Sequence, residues 1–446
     1  MTALAVLRKL LRSSECNWTS SEQYEAVKCA IEGNSDLLVA LPTGSGKSLI
    51  PMVAATVTKK TFVVVVPLIS LLEDWERRLR KAGMRYTVFK ATSPPFYDCP
   101  IVLTTTDTAI GEEFSNAIGC SYADRRLGAL VLDEVHEILA SKTFRPCMQK
   151  MWGVRKLIYP IIGMSGTIPV NIEPRLLAEL GLKPDTPVVR QSSNRPELTY
   201  IIESPLTKLD DLTTRIRNIA QDHIIQPSDR ALVFVTTIMN GELIAGSLGC
   251  EFYCADTSVY VSKGNRRLMD ESTRHRMAAE RRKGIIDNWQ TGRYRIMVAT
   301  TAFGAGNDYP GVRVVILANT PFDMASIVQQ FGRAGRDGNQ ALCYIIPSKR
   351  LLYRPGEQSV DFCGHSAATE MIWDSMKCIR FLLTKYVDGR EATCCLEDTK
   401  NTICSRCQSR VHGEMKTLAP AHRKPSGTIL VPPSSSIVDV VSSVSL

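Results

Sequence analysis

Short apolar runs recur along the chain, each followed by a polar turn and a helical pattern. Leu37–Leu41, Thr61–Val66, Pro100–Thr105, Leu127–Leu132 and Ile158–Met164 read as strands. Thr61–Val66 is a nearly uninterrupted β-branched run, which suits a central parallel strand covered on both faces. Among the helical patterns are Tyr24, Val27 and Ile31, with Thr19 or Ser20 as a cap, an apolar stretch from Leu49, and a charged segment through Trp75, Arg77, Arg78 and Arg80. The second half repeats the alternation: Ala231–Val235, Phe252–Cys254, Arg293–Thr300 and Val312–Ala318 are its strands. Near the end, Ile372, Met376, Ile379, Leu382 and Leu383 predict one helix. Met1–Leu11, apolar with Arg8 and Lys9 inside it, predicts an amphipathic helix.

This pattern predicts an α/β protein with two parallel-sheet units. Prolines at 169, 174, 184, 187 and 196 punctuate the chain and close the first domain near residue 195. The second domain is expected over 196–350 and a small helical subdomain over 351–412. The Pro- and Ser-rich remainder, 413–446, is expected to be a disordered tail.

Composition narrows the class. The chain has 446 residues, enough for two or three domains, and 44% are hydrophobic. A formal net charge of +9 allows an anionic partner without requiring one. The apolar run Thr61–Leu72 is too short and interrupted for a membrane span. No small-residue cleavage site follows the N-terminal helix, so a soluble intracellular protein is expected. Of 14 cysteines, six crowd together from Cys363 onward, which in a reducing compartment points to metal rather than disulfides.

Three stretches carry candidate chemistry. The first is Leu41-Pro42-Thr43-Gly44-Ser45-Gly46-Lys47-Ser48, between a strand and a helix. Glycines there let backbone N–H groups converge on phosphate, and the following helix N-terminus adds favourable partial charge. Lys47 would reach the β- and γ-phosphates and the Ser48 hydroxyl would hold Mg²⁺. Leu41 stands where the first glycine of the full phosphate-loop pattern would be. The second stretch is Asp133-Glu134-Val135-His136, at the end of an apolar strand. There Asp133 would hold Mg²⁺ through water and Glu134 would orient and deprotonate the attacking water. The third is Gln329-Gln330-Phe331-Gly332-Arg333-Ala334-Gly335-Arg336-Asp337-Gly338. Arg333 and Arg336, three residues apart on one helix face or around its end, would stabilise charge on a transferring phosphoryl group. Supplied by a second domain, they would make hydrolysis depend on domain closure.

Weaker signals flank these. Ser165 and Thr167 follow a strand and could link the nucleotide site to the second domain. Thr104 to Asp107 suits either phosphate contacts or simple turn chemistry. The basic stretch 261–283 is either a solvated face or a phosphate-tracking surface. Cys404 and Cys407 have the spacing of a zinc knuckle. Cys378 and one of Cys394 and Cys395 are the best further ligands, with Cys363 and His365 in reserve.

Taken together and in this order, the motifs resemble those of superfamily 2 helicases, and most of all the RecQ family of DNA helicases. The carrying residues are Leu41–Ser48, Val66-Pro-Leu-Ile-Ser-Leu71, Asp133–His136, Phe303-Gly-Ala-Gly306 and Gln329–Gly338, with Phe144-Arg145-Pro146 and the Cys378-Ile-Arg-Phe-Leu segment also similar. The resemblance runs from about Thr19 to Cys407, and the linkers look most similar to fungal RecQ-like proteins. It implies two tandem RecA-like domains followed by a zinc-binding subdomain, ATP and Mg²⁺ as cofactors, and 3′-to-5′ translocation on single-stranded DNA. It makes Gln23, otherwise a solvated helix residue, the adenine reader. It adds Gly306, Asp308 and Gln329 to the nucleotide-binding set, makes Ser165 and Thr167 coupling residues, and makes His136 a link between γ-phosphate and DNA. A DNA helicase of a eukaryote, acting in recombination or repair, would be nuclear. The sequence departs from the family in three places. Glu137–Lys142 holds no aromatic residue where the family has an aromatic-rich loop, the insert Val261–Thr273 is long, and nothing after Cys407 resembles a winged helix. ATP hydrolysis is therefore a firmer expectation than processive unwinding. An RNA helicase, or a nucleic-acid-binding protein with a decayed ATPase, are the alternatives.

Overall fold

The computed structural model describes residues 2–90, 99–123, 125–137, 160–254, 271–304, 309–318, 322–348, 361 and 363–418. Its first half comprises α1 (Ala3–Leu11), α2 (Ser21–Glu32), β1 (Leu37–Ala40), α3 (Leu49–Thr58), β2 (Thr61–Val66), α4 (Ile69–Ala82), β3 (Tyr86–Val88), β4 (Ile101–Thr105), α5 (Thr106–Ala109), α6 (Glu112–Ala123), β5 (Leu127–Leu132), β6 (Ile161–Ser165), α7 (Glu173–Glu179) and β7 (Val188–Arg190). The seven strands form one parallel sheet in the order β3-β4-β2-β5-β6-β1-β7. Alternation along the strands divides the core. Leu38, Val63, Val65 and Leu130 face one layer, while Val39, Val64, Val66 and Val131 face the other. Both faces are dry, which is why β2 shows no polar alternation.

The second half comprises β8 (Leu198–Ile202), α8 (Leu209–His223), β9 (Arg230–Phe234), α9 (Ile238–Leu248), β10 (Glu251–Tyr253), α10 (Glu271–Thr291), β11 (Ile296–Ala299), β12 (Val312–Ala318), α11 (Met324–Phe331) and β13 (Ala341–Ile346). Its strands pair in parallel in the order β10-β11-β9-β12-β13-β8. Three helices follow: α12 (His365–Trp373), α13 (Ile379–Asp388) and α14 (Ser405–Leu418). Among the described residues they have no separate core. Ile379, Leu382, Leu383 and the buried cysteines join the cluster that also holds Phe234, Val315 and Ile345 of the second sheet.

The crossing between the sheets is anchored rather than loose. Arg380 of α13 is fully buried. Its guanidinium donates to Asn194 Oδ1 (2.8 Å), to the carbonyls of Arg195 (2.6 Å) and Leu198 (2.6 Å), and to that of Thr402 (3.1 Å). At the other end of the helix, Asp388 accepts from the Ser193 amide (2.9 Å) and the Ser192 hydroxyl (3.1 Å).

Several expectations change. The single helix predicted through Met376 is two, because the Asp374 carboxylate accepts the Met376 (2.7 Å) and Lys377 (2.8 Å) amides and turns the chain between α12 and α13. Helix α14 continues beyond residue 412, to Leu418, into the segment expected to be tail. Strands β3, β7, β8 and β13 carry no sequence expectation. Phe144–Pro146, residues 138–142 and 261–270, and Gly306 and Asp308 lie outside the described residues. Among the described residues no helix is long and apolar enough to cross a membrane.

Candidate nucleotide site

Sheet order brings the first two motifs together. Strands β1, β6 and β5 are neighbours, with Ala40 opposite Ser165 and Leu132 opposite Gly163. The loop after β1, the Ser165-Gly166-Thr167 turn after β6 and the Asp133–His136 turn after β5 therefore leave one edge of the sheet side by side. The crevice beyond strand C-termini is where open α/β sheets bind ligands.

The loop Pro42–Ser48 is built around left-handed glycines, Gly44 at φ +88° and Gly46 at φ +76°. Gln23 braces it from α2. Its amide accepts from Thr19 N (2.8 Å) and donates to the carbonyls of Ser45 (3.0 Å) and Gly46 (3.3 Å), and it is fully buried. A Cβ on Gly46 would lie 2.5 Å from that amide nitrogen. The structure thus turns Gln23 onto the loop backbone and not toward the cleft.

Lys47 Nζ donates to the Leu41 (2.9 Å) and Pro42 (3.1 Å) carbonyls. Burial holds its pKa below the ordinary lysine value, although Glu134 and Asp133 pull upward. Asp133 is displaced the opposite way, pushed up to about 6 by burial and then by the neighbouring Glu134 carboxylate. The Trp75 indole N–H donates to Asp133 Oδ2 at 2.8 Å. A buried ammonium whose charged form is disfavoured and a crowded carboxylate pair are complementary needs. A metal–phosphate ligand would meet both. Ser48 Oγ and the Asp133 carboxylate are hard oxygen donors suited to Mg²⁺.

Glu134 adopts φ +47°, uncommon for a non-glycine residue and typical of strained functional positions. The Ser165 hydroxyl sits at the centre of a small network. It is 2.7 Å from His136 Nδ1, donates to Glu134 Oε2 (3.3 Å) and accepts from the Thr167 amide (3.1 Å).

Arg333 and Arg336 lie in the turn after α11, around the helix end and not on its face. They line the same cleft, about 450 Å³, as Gly44, Lys47, Asp133 and Glu134. The Thr43 hydroxyl donates to the Gly332 carbonyl across the two sheets at 3.2 Å. A Cβ on Gly332 would fall 2.2 Å from that hydroxyl, so glycine permits the approach. Gln329 is placed elsewhere. With His136, Glu137, Thr167, Asp323 and Cys363 it lines a second cavity of about 270 Å³.

The cysteine expectations are sorted by distance. Cys378, Cys395, Cys404 and Cys407 are buried with their sulfurs within 4.8 Å of one another. Cys378 Sγ is 3.4 Å from Cys395 Sγ and 3.9 Å from Cys404 Sγ. A tetrahedral zinc with Zn–S near 2.3 Å has sulfur–sulfur edges of about 3.8 Å. Cys394 is buried beside the group but not one of the four. Cys363 lines the second cavity and His365 pairs with Asp361, so neither reserve ligand joins it.

The sequence predicted the charged helix α4 but not that its side chains reach the cleft. Besides Trp75, its Arg78 donates to Ser48 Oγ at 3.0 Å. The only signal was a charged helical pattern, which does not say which charges face the cleft.

Comparisons with known proteins agree with this geometry. The family model for DEAD/DEAH box helicases matches residues 20–174 and that for the helicase conserved C-terminal domain matches 214–338. ATP-dependent helicase SGS1 of Saccharomyces cerevisiae is 26% identical over 74% of this chain and 22% of its own length. ATP-dependent DNA helicase Q1 of Rattus norvegicus is 26% identical over 87% of this chain and 65% of its own. The chain thus spans less than two thirds of either relative. Among solved structures, S. cerevisiae Dbp5 bound to RNA and ADP BeF3 matches with TM-score 0.59 and 13% identity over 92% of this chain and 96% of that one. Mycobacterium smegmatis Lhr bound to ssDNA and AMP-PNP matches with TM-score 0.58 and 20% identity over 78% and 48%. These likenesses establish two tandem RecA-like domains. With the helicase motifs at one shared cleft, the chain carries in order the two helicase domains that these family models describe and is similar to ATP-dependent DNA helicases.

Proposed function

We propose that this protein is an ATP-dependent 3′-to-5′ DNA helicase. One observation carries the reading: Arg333 and Arg336 of the second domain line the cleft that holds Lys47, Asp133 and Glu134 of the first. Nucleotide would bind in the first domain and find its charge-stabilising arginines only when the second is docked.

In this reading Lys47 and the loop amides hold the phosphates, and Ser48 and Asp133 hold Mg²⁺. Magnesium when bound shields phosphate charge. Glu134 orients the attacking water and takes its proton. Arg333 and Arg336 offset charge on the phosphoryl group; such arginines contribute on the order of 10³–10⁵ in rate. Ser165 and His136 carry the state of the site toward Thr167 and the nucleic-acid face. Cys378, Cys395, Cys404 and Cys407 hold zinc, whose loss would loosen the core they share with the second sheet. Amides of Cys395 (3.4 Å, to Cys378 Sγ) and Cys404 (3.3 Å, to Cys395 Sγ) support thiolate charge there. The relatives named as DNA helicases support DNA as the track, and a nuclear role in recombination or repair follows from that reading.

The test is ATP hydrolysis with and without single-stranded DNA at low salt, since phosphate contacts weaken steeply with salt. Strong stimulation, followed by separation of duplexes with 3′ tails, is the expected result. Equal stimulation by RNA would move the reading to an RNA helicase, and no hydrolysis would move it to a binding protein.

A further inference from the structure

Two side chains of α4 reach the two oxygens assigned to Mg²⁺, and the hydrolysis scheme above uses neither. Trp75 holds Asp133 Oδ2, and Arg78 Nη1 holds Ser48 Oγ. Asp74 stands one turn before Arg78, is 5% exposed, and pairs with Arg78 Nη2 at 2.5 Å. Its other oxygen is bonded by Arg77. Arg78 itself is 43% exposed, and it opens onto the cleft that Lys47 and Arg336 also line.

We propose that Arg78 is a resident cation of this cleft: its guanidinium holds the position at the Ser48 hydroxyl that Mg²⁺ takes over, and it supports nucleotide binding when the metal is scarce. The inference rests on the reading of this cleft as a nucleotide site. A guanidinium N–H is aimed at an oxygen that a hard cation would use. Guanidinium and a divalent ion a few ångströms apart repel strongly, and arginine cannot escape by losing its proton. Arg78 must therefore leave Ser48 when the metal arrives. Asp74 keeps the other nitrogen tethered, so the charge stays at the cleft wall, where its planar fork suits phosphate oxygens. Arg78 is thus both a competitor of the metal and a partial substitute for it.

The two roles predict opposite effects of one substitution. The experiment measures equilibrium binding of a fluorescent ADP derivative to the full chain, first in EDTA and then across a Mg²⁺ series. Arg78→Ala should weaken binding in EDTA by about tenfold, the loss of one charge-assisted contact. It should also lower by several-fold the Mg²⁺ concentration that gives half the metal effect. Arg78→Lys should retain part of the metal-free binding, which separates charge from misfolding. Arg80→Ala, whose guanidinium is committed to Glu76 and Tyr86, should change neither quantity. If Arg78→Ala shifts both quantities in the same sense, or neither, the inference is overturned. If the unaltered chain binds no nucleotide in either condition, the nucleotide reading falls with it.

Discussion

The two sheets share an architecture and differ in what their strand ends carry. In the first, β1, β5 and β6 deliver Lys47, Asp133, Glu134 and Ser165 to one edge, where Ser165 bonds to Glu134 and lies against His136. In the second, the described groups that reach the nucleotide cleft come from the turn after α11, Arg333 and Arg336. In the proposed reading the first half supplies the phosphate- and metal-holding groups and the second supplies the arginines. A shared fold therefore says little about the division of labour, which rests on a few side chains at strand and helix ends.

That asymmetry can be broken from either side. Lys47→Ala should have the largest effect, removing phosphate charge compensation and lowering hydrolysis beyond about 10³-fold, together with nucleotide affinity. Phosphate release measured near parental rates would end the site assignment. Arg336→Ala should cost about 10²–10³ in kcat while nucleotide binding is retained. A matching loss of affinity would mean that the second half is part of the binding site after all. Gly332→Ala should cost about tenfold in hydrolysis by forcing the sheets apart at Thr43, roughly the worth of a lost hydrogen bond plus the clash. Adding Thr43→Ala should recover much of it, because the obstructing hydroxyl is gone. A double variant no better than the single one would place the two residues out of contact. Cys404→Ser should release zinc and lower Tm by about 5–10 °C, with nucleotide affinity near parental. Metal analysis showing unchanged zinc would rule the cluster out.

Much of this was legible in the sequence where one layer of physics sufficed. Thr61–Val66, Leu127–Leu132 and Val312–Ala318 match their strands end to end, because a parallel strand covered on both faces is largely apolar along its length. The short β3 and β7 at the sheet edges lack such a run. The motif residues Lys47, Asp133, Glu134, Arg333 and Arg336 do converge, since local patterns mark the ends of these elements. Arg78 was missed, and the burial of Gln23 and the cavity that Gln329 lines were not legible, for one reason. Each is a polar helix residue whose partner is set by tertiary approach, and helical periodicity tells only which face it occupies. The break at Asp374 was visible in principle, as a side chain able to capture the next amides, but the apolar spacing through Met376 masked it.

The anchoring of residues 192–198 on α13 has a mechanical consequence. A linker stitched to one helix at Asp388 and again at Arg380 cannot act as a free joint. The second sheet, the cysteine cluster and the linker then travel as a single lever, with the bend confined to the neighbourhood of Gln191, the one residue between β7 and Ser192. Stiffness at the cysteine cluster would thus be transmitted to how far the distant nucleotide cleft can gape.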